Sequence, residues 1–170
     1  IDLIKMLAEQ RGIEPAVALA ILDIESGGAG FSSKTGKVII RYEPHVFKKY
    51  MKNLRGKTVS VPAKRGGQSA EYENLAKASA IDPEIALQSI SMGMPQIMGF
   101  NFKWGKYKNV FDMWKDFHRN EGAHIRAYFR HMDNYLKPNK LTNYAKNKDF
   151  TNFARYYNGA GGVGTYDKKM

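Results

Sequence analysis

Residues 15–28, PAVALAILDIESGG, predict the most clearly defined helix of the chain. Apolar side chains recur at three- and four-residue spacings and form one stripe: Val17, Ala20, Ile21 and Ile24. A proline at the first position fits the first helical turn, where its missing N–H has no partner to lose. Two glycines then end the helix. The segment therefore predicts a packed helix with a carboxylate, Glu25, in its last turn.

The last turn of a helix is an unusual place for a carboxylate such as that of Glu25, because the C-terminal end is the negative pole of the helix dipole. The unpaired carbonyls there and apolar neighbours such as Ile24 and Phe31 would both raise the pKa of the Glu25 carboxyl. A carboxylic acid that keeps its proton near neutral pH is what a glycosidase needs as general acid. The alternative is a surface glutamate beside a glycine cap. Taken alone, the Glu-Ser-Gly segment favours that alternative.

The remainder of the chain is mostly helical in pattern, which predicts one mainly α domain over residues 1–170 with a small β segment. Helical patterns cover residues 1–11, 69–80, 83–90, 110–119, 120–136 and 150–157, and a short helix after Pro44 extends to Met51. The β-branched run at 38–40 predicts a strand or hairpin. Residues 56–67 are basic and glycine-rich and predict an exposed loop, whereas residues 91–99 predict a break between helices.

The composition is strongly basic: 27 Lys and Arg against 16 Asp and Glu give a net charge of +11. Such a surface attracts polyanions, but it is also compatible with a solvated surface that has no partner. The chain has no cysteine, which excludes disulfides and thiolate chemistry. It has neither an apolar run long enough for a membrane span nor a visible secretory leader. We therefore expect synthesis in the cytoplasm.

Two further segments carry polar groups suited to a sugar. Residues 91–99, SMGMPQIMG, offer Ser91 and Gln96 as hydrogen-bonding groups beside two glycines. Residues 154–162, ARYYNGAGG, offer Tyr156 or Tyr157 for stacking and Asn158 for an acetamido group. Either segment alone is equally compatible with core packing followed by a turn.

The order of the three segments resembles the lysozyme-like superfamily that includes goose-type lysozymes and lytic transglycosylases. The resemblance narrows to the N-acetylmuramidase domain of phage and prophage endolysins. It spans nearly the whole chain and rests on four blocks: ALAILDIESGGAGF, YEPHVF at 42–47, ALQSISMGMPQIMGFN at 86–101, and FARYYNG at 153–159 with TYDKKM at the end.

The resemblance implies a helical lysozyme-like fold with a small β-hairpin lobe lining a cleft. It also implies cleavage of the β-1,4 bond between N-acetylmuramic acid and N-acetylglucosamine in bacterial peptidoglycan, with Glu25 as catalytic acid. The family's Glu-x-His-x-Phe segment corresponds to Glu43, His45 and Phe47, and its Ser-x-Gly-x-x-Gln-Ile segment begins at Ser91. Its Tyr-Asn-Gly corresponds to residues 157–159.

Two departures from the family pattern stand out. Family members usually have Trp where this chain has Met92, which replaces an aromatic stacking platform by a thioether. The family's Tyr-Asn-Gly is usually followed by Pro, and here Ala160 follows.

The second catalytic group is open from the sequence. Glu43 is the first choice, because it follows the predicted β segment, which in this fold class faces the acid across the cleft; a structural contact with a basic residue is an equal alternative. Asp82 is more simply an N-cap and Glu84 a first-turn residue. Without a second carboxylate, the substrate's own 2-acetamido group or 6-hydroxyl could act instead. The hydroxyl route gives a 1,6-anhydro product, which is lytic transglycosylation.

We expect the protein to be a monomer that acts on peptidoglycan and needs no metal or cofactor. The four histidines are expected at the surface or in packing, since no carboxylate accompanies them at metal-binding spacing. The run at 118–131, with Arg119, Arg126 and Arg130, could contact anionic envelope polymers or an outer membrane. The alternative from another class is a non-enzymatic basic module that binds the envelope or nucleic acid. We expect no nucleic-acid binding, because no basic stripe with interleaved aromatics is present.

Overall fold

The computed structural model describes residues 2–26, 28–135 and 137–157, without the side chains of Glu25 and Ser26. Within these residues, nine α-helices surround a small sheet. The helices are α1 (Asp2–Glu9), α2 (Pro15–Ser26), α3 (Pro44–Arg55), α4 (Gly67–Ile81), α5 (Pro83–Gln88), α6 (Val110–Phe117), α7 (Glu121–Asn134), α8 (Lys140–Lys146) and α9 (Phe150–Tyr157). The strands are β1 (Ile40–Tyr42), β2 (Ile90–Met92) and β3 (Ile97–Met98), and a 3-10 turn spans Gly99–Asn101. The predicted mainly α architecture with a small β part is confirmed.

Several helices begin at side chains that cap their free N–H groups. Asp82 accepts from the Ile85 N–H at 2.9 Å and opens α5, as the sequence predicts. Asn109 accepts from the Asp112 N–H at 2.8 Å and opens α6. Asn120 caps α7 in the same way. These caps explain why the helical patterns begin where they do.

The sheet is antiparallel in the order β1-β2-β3. It corrects two expectations. The strand predicted at 38–40 lies at 40–42, while Val38 forms only an isolated bridge with Phe31. Residues 91–99, predicted as a break between helices, form most of the β2–β3 hairpin. The two glycines and the proline of that segment mark a strand turn, which composition alone does not distinguish from a helix break.

The outer edge of β1 is covered by side chains from α4. Gln68 pairs with both backbone groups of Ile40, accepting its N–H and donating to its carbonyl at 2.9 Å each. Glu71 accepts the Tyr42 N–H at 2.8 Å. A free strand edge is a template for unwanted pairing, and these side chains satisfy it without another strand.

The apolar core has two parts. One lies between the sheet and helices α3 to α6, and includes Phe47, Met92 and Phe117. The other is formed by α1, α2, α7, α8 and α9. Helix α7 contributes to both, through Ala127 to the first and Phe129 to the second. The two parts therefore meet along α7, which places a cleft between the sheet and the second helical group.

Helix α8 was not predicted. It is short, and its buried face consists of Leu141, Thr142 and Ala145, which is too little apolar surface for a clear helical stripe. Its Thr142 hydroxyl donates to Asp133 on α7 at 2.6 Å, and Asp133 also forms an ion pair with Arg11. Tertiary contacts therefore stabilise this helix.

The basic segment 56–66 contains neither helix nor strand, as predicted, but it is not free of the core. The side chain of Asn74, fully buried on α4, accepts the Lys64 N–H at 2.8 Å and donates to the Lys64 carbonyl at 3.0 Å. The Tyr42 hydroxyl donates to the Val61 carbonyl. Within the described residues, no helix combines the length and the apolar character that crossing a membrane requires.

Candidate active site

A cavity of about 550 Å³ lies between the sheet and the helices α7 and α9. Its walls come from four separate parts of the sequence. The lining residues are Arg41, Glu43, His45, Val46, Ser91, Gln96, Ile97, Met98, Phe100, Asn101, His131, Tyr135 and Tyr157. The structure thus brings residues from each of the Glu-x-His, Ser-x-Gly and Tyr-Asn-Gly segments to one cavity.

The floor of the cavity is the β2–β3 hairpin. The Ser91 hydroxyl donates to Gln96 Oε1 at 2.8 Å, and Gln96 Nε2 donates to the Gly93 carbonyl at 2.9 Å and to the Ile39 carbonyl at 3.3 Å. Gln96 has a φ of 48°, which its side-chain bonds to the turn help to hold. The two predicted sugar-binding residues therefore first fix each other and the shape of the turn.

Gly93 allows this hairpin to pack directly on α6 and α7. Its φ is 71°, and an added Cβ would lie 2.7 Å from the Phe117 ring and 2.8 Å from His124 Nδ1. His124 holds the same turn: its Nδ1 accepts the Met94 N–H at 3.2 Å, and its Nε2 donates to the Phe117 carbonyl at 2.6 Å. Burial lowers the pKa of His124, which favours the neutral ring that these two bonds require.

The structure shows the role of Met92, the first departure from the family pattern. Residues alternate across β2, so Ser91 lines the cavity while Met92 is fully buried in the core on the other face. Met92 is therefore a packing residue in this chain and offers no surface to a sugar.

Glu43 stands on the sheet side of the cavity, where β1 gives way to α3. It occupies the N-cap position of α3 without a side-chain cap bond, so its carboxylate is available to other groups. One oxygen lies 3.2 Å from Arg41 Nε and the other lies 3.6 Å from His45 Nδ1. The side chain retains 24% exposure, which leaves it in reach of a ligand.

Glu25 lies in the last turn of α2, as predicted, while its side chain and residue 27 are outside the described residues. The chain that follows is bonded to the cavity floor. The Ile39 N–H donates to the Gly30 carbonyl at 2.9 Å, and the Gly93 N–H donates to the Ile39 carbonyl at 2.8 Å. The Gly30 N–H donates to Glu121 Oε1 at 2.9 Å. Two backbone bonds therefore connect the end of α2 to the hairpin.

The opposite wall is aromatic. His131, only 3% exposed, packs on Tyr135, the residue that follows α7, with ring centroids 4.8 Å apart. The Tyr157 ring stands edge-on to His131 at 5.7 Å, and its hydroxyl donates to the Pro95 carbonyl at 2.8 Å. Burial lowers the pKa of His131 to about 4. This wall therefore holds α9 against the hairpin.

Tyr156 is not brought into the cavity. Its ring stacks on Tyr144 at 5.8 Å, with Lys140 Nζ 3.6 Å from the centroid. Neighbouring residues of a helix point about 100° apart, so only Tyr157 of the pair faces the cleft. Asn158, the third residue predicted from this segment, lies outside the described residues.

The histidines divide into two exposed and two buried ones. His45 and His118 are exposed, whereas His124 and His131 are buried in aromatic surroundings. Across the described part of the chain, no group of three His, Cys, Asp or Glu side chains could hold a metal ion.

The arginines of segment 118–131 do not form one basic helix face. Arg119 precedes α7 and pairs with Asp116 at 3.0 Å. Arg130 donates to the Gly105 carbonyl and to the Tyr107 hydroxyl, and its guanidinium lies over the Tyr107 ring. Of the three, Arg126 is the one that is exposed on α7.

Sequence reasoning missed Arg41, His131 and Tyr135 as cavity residues. Arg41 and Glu43 are two apart in extended chain, and this period-two spacing was a usable signal. His131 and Tyr135 are four apart at the C-terminal end of α7, where the Tyr135 N–H still donates to the His131 carbonyl, so they lie near one face. That face is indistinguishable in sequence from any other buried helix face.

Comparisons with known proteins agree on one family. A family model described as Muramidase, N-acetylmuramidase, matches residues 14–170. The chain is also similar to the crystal structure of an endolysin of Burkholderia AP3 phage, with 31% sequence identity and a TM-score of 0.84, over 99% of this chain and 66% of that one. The chain thus spans 66% of that endolysin's length. No curated protein matches it.

Proposed function

The chain belongs to the N-acetylmuramidase family, and on that premise we propose that it is a peptidoglycan hydrolase. It cleaves the β-1,4 bond between N-acetylmuramic acid and N-acetylglucosamine. Glu25 is the general acid. The observation that carries the proposal is the convergence of the Glu-x-His, Ser-x-Gly and Tyr-Asn-Gly segments, distant along the chain, on one cavity of about 550 Å³.

The fold supports Glu25 as the acid through its place in the chain. The last turn of α2 carries it, and the segment after that turn is bonded through Gly30 and Ile39 to the hairpin that floors the cavity. The negative end of the helix disfavours an ionised carboxyl, so the group retains a proton for the glycosidic oxygen.

Glu43 is the proposed second catalytic group. Its neighbours Arg41 and His45 also line the cavity, with side-chain nitrogens 3.2 and 3.6 Å from the carboxylate oxygens. A carboxylate so held either attacks the anomeric carbon or activates a water, depending on its separation from the acid. In either role Glu43 is anionic when Glu25 gives up its proton, and its charge stabilises the positive charge that develops on the sugar ring. As a nucleophile it then becomes a glycosyl ester that water hydrolyses, and as a base it takes the proton of the attacking water.

The proposed substrate-binding residues are those of the predicted set that line the cavity, together with Asn158. Ser91 and Gln96 present polar atoms at its floor, and the Tyr157 ring offers a stacking surface in its wall. Asn158 is proposed to bind an acetamido group beside Tyr157. Tyr156 packs between Tyr144 and Lys140 and does not line the cavity, so its predicted contact with a sugar stays a prediction.

The test is the digestion of purified sacculi by the wild type and by Glu25→Gln, Glu43→Gln and Glu73→Gln. Glu73 is the matched control, because its carboxylate pairs with Lys64 at the surface and it is not one of the cavity-lining residues. Released muropeptides are identified by mass. We expect reducing products from the wild type and Glu73→Gln, and none from Glu25→Gln.

Each other outcome has a defined meaning. Products lighter by one water would establish lytic transglycosylation and remove Glu43 as nucleophile or base. Equal release by Glu25→Gln would remove Glu25 from the mechanism. No release by any of the four proteins, each shown to be folded, would favour a non-enzymatic wall-binding module.

The basic surface is proposed to strengthen encounter with the anionic envelope and not to bind one specific polymer. The net charge of +11 supports a general attraction, while two of the three arginines in segment 118–131 already have protein partners. Digestion rates should therefore fall steadily as salt rises, because exposed charges are screened. A rate that is independent of salt would remove this role.

A further inference from the structure

His131 combines a place in the cavity lining with a buried side-chain nitrogen. Within the described residues, its Nδ1 is buried and has no hydrogen-bond partner. The ring is flanked by Tyr135 and Tyr157, at centroid distances of 4.8 and 5.7 Å. A buried polar atom without a partner costs free energy, and that cost depends on which of the two ring nitrogens carries the proton.

The position of the ring proton follows from that environment. Burial lowers the pKa of His131 to about 4, so the ring is neutral at neutral pH and carries one N–H. A buried N–H without an acceptor is rarer and more costly than a buried lone pair. The proton therefore lies on Nε2, and Nδ1 keeps only its lone pair. Since Nδ1 is fully buried, Nε2 is the nitrogen through which this residue meets the cavity.

We propose that His131 is a substrate-binding residue, whose neutral Nε2–H donates to the carbonyl oxygen of an acetamido group in the cavity. This inference rests on the proposed function, because it assigns a contact to the aminosugar substrate. A neutral donor suits an uncharged carbonyl, whereas a cationic one would prefer a carboxylate. The rings of Tyr135 and Tyr157 on either side provide the apolar surface that an acetamido methyl and a sugar face require.

Amide carbonyls also occur in the stem peptides of peptidoglycan. The structure favours the acetamido group, because the aromatic neighbours of His131 match a methyl-bearing amide next to a sugar ring. Arg41 and His45, which would attract a carboxylate of a stem peptide, lie on the sheet side of the cavity with Glu43 between them.

Binding is tested in the Glu25→Gln protein, so that the ligand stays intact. The probes are an N-acetylglucosamine oligomer and a sugar-free stem peptide. His131→Phe keeps an aromatic ring and removes the donor, while His131→Gln places an amide N–H near the position of Nε2. We expect His131→Phe to bind the oligomer about five- to tenfold more weakly, the effect of one hydrogen bond, and His131→Gln to bind within about twofold. Neither should bind the stem peptide differently.

Nitrogen NMR of the wild-type histidine rings gives a second measurement that needs no variant. We expect the Nε2–H form at neutral pH and a shift of Nε2 when the oligomer is added. Equal oligomer affinity of all three proteins, a loss confined to the stem peptide, or an Nδ1–H ring would overturn the inference. Oligomer binding that depends on His131, together with no bond cleavage in sacculi by the wild type, would overturn the proposed function and leave this contact standing.

Discussion

Substituting Gly93 by Ala tests how the hairpin that floors the cavity is positioned. The residue combines a left-handed backbone, φ 71°, with direct packing against Phe117 and His124. The methyl group of alanine would conflict with both the left-handed backbone and the close packing. A second glycine separates them: Gly36 has nearly the same φ, 67°, but nothing lies within 4 Å of its added Cβ.

The expected magnitudes follow from that pair. Left-handed backbone costs a residue with a Cβ roughly 1–2 kcal/mol, and this applies to both positions. Overpacking of a core adds about 1–3 kcal/mol, and this applies only to Gly93, whose Cβ would overlap a ring carbon at 2.7 Å. We therefore expect Gly36→Ala to lower the free energy of unfolding by about 1–2 kcal/mol and Gly93→Ala by about 2–5 kcal/mol.

The assay is chemical unfolding of both variants, followed by digestion of sacculi under conditions where each is folded. In thermal unfolding of the same variants, the excess loss in Gly93→Ala should appear as a melting temperature roughly 2–12 °C below that of Gly36→Ala. Activity should fall only in Gly93→Ala, because the shifted turn moves Ser91 and Gln96. Equal destabilisation would show that Phe117 and His124 give way without cost and would refute the packing argument.

Two other predictions concern stability, measured as the free energy of unfolding. Asn74→Ala should lower it by about 1–3 kcal/mol, because two buried hydrogen bonds to the Lys64 backbone are lost. Lys64→Ala is the control: it removes only an exposed ion pair and should lower it by less than about 1 kcal/mol, so equal losses would contradict this account. His131 should make the wild type acid-sensitive: its folded pKa of about 4 lies below the unfolded 6.5, so its contribution is present above pH 6.5 and is lost towards pH 4. Relative to His131→Phe, the wild type should lose about 3 kcal/mol across that window in urea titrations, and parallel pH profiles would contradict the assignment.

The local helical patterns explain how much of the fold could be predicted. The stripe of α2, its first-turn proline, and the Asp82 cap of α5 depend on residues within one or two turns, so sequence spacing is sufficient to find them. The β2–β3 hairpin and α8 were missed for the opposite reason. Both are short, and they are stabilised by distant partners: α8 by Asp133 on α7, and the hairpin by β1 and His124.

The candidate site divides along the same line. The sequence by itself determined the segments that carry polar and acidic groups, the last turn of α2 as the place of Glu25, and the strong positive charge. Only the tertiary structure decided which side chains of those segments face one cavity. It turned Ser91 towards the cavity and Met92 into the core, Tyr157 towards the hairpin and Tyr156 away. It also brought His131 of α7 to the same cavity wall as Tyr157. The physical reason is that a residue's facing is set by the element it packs against, and that element lies far away in the sequence.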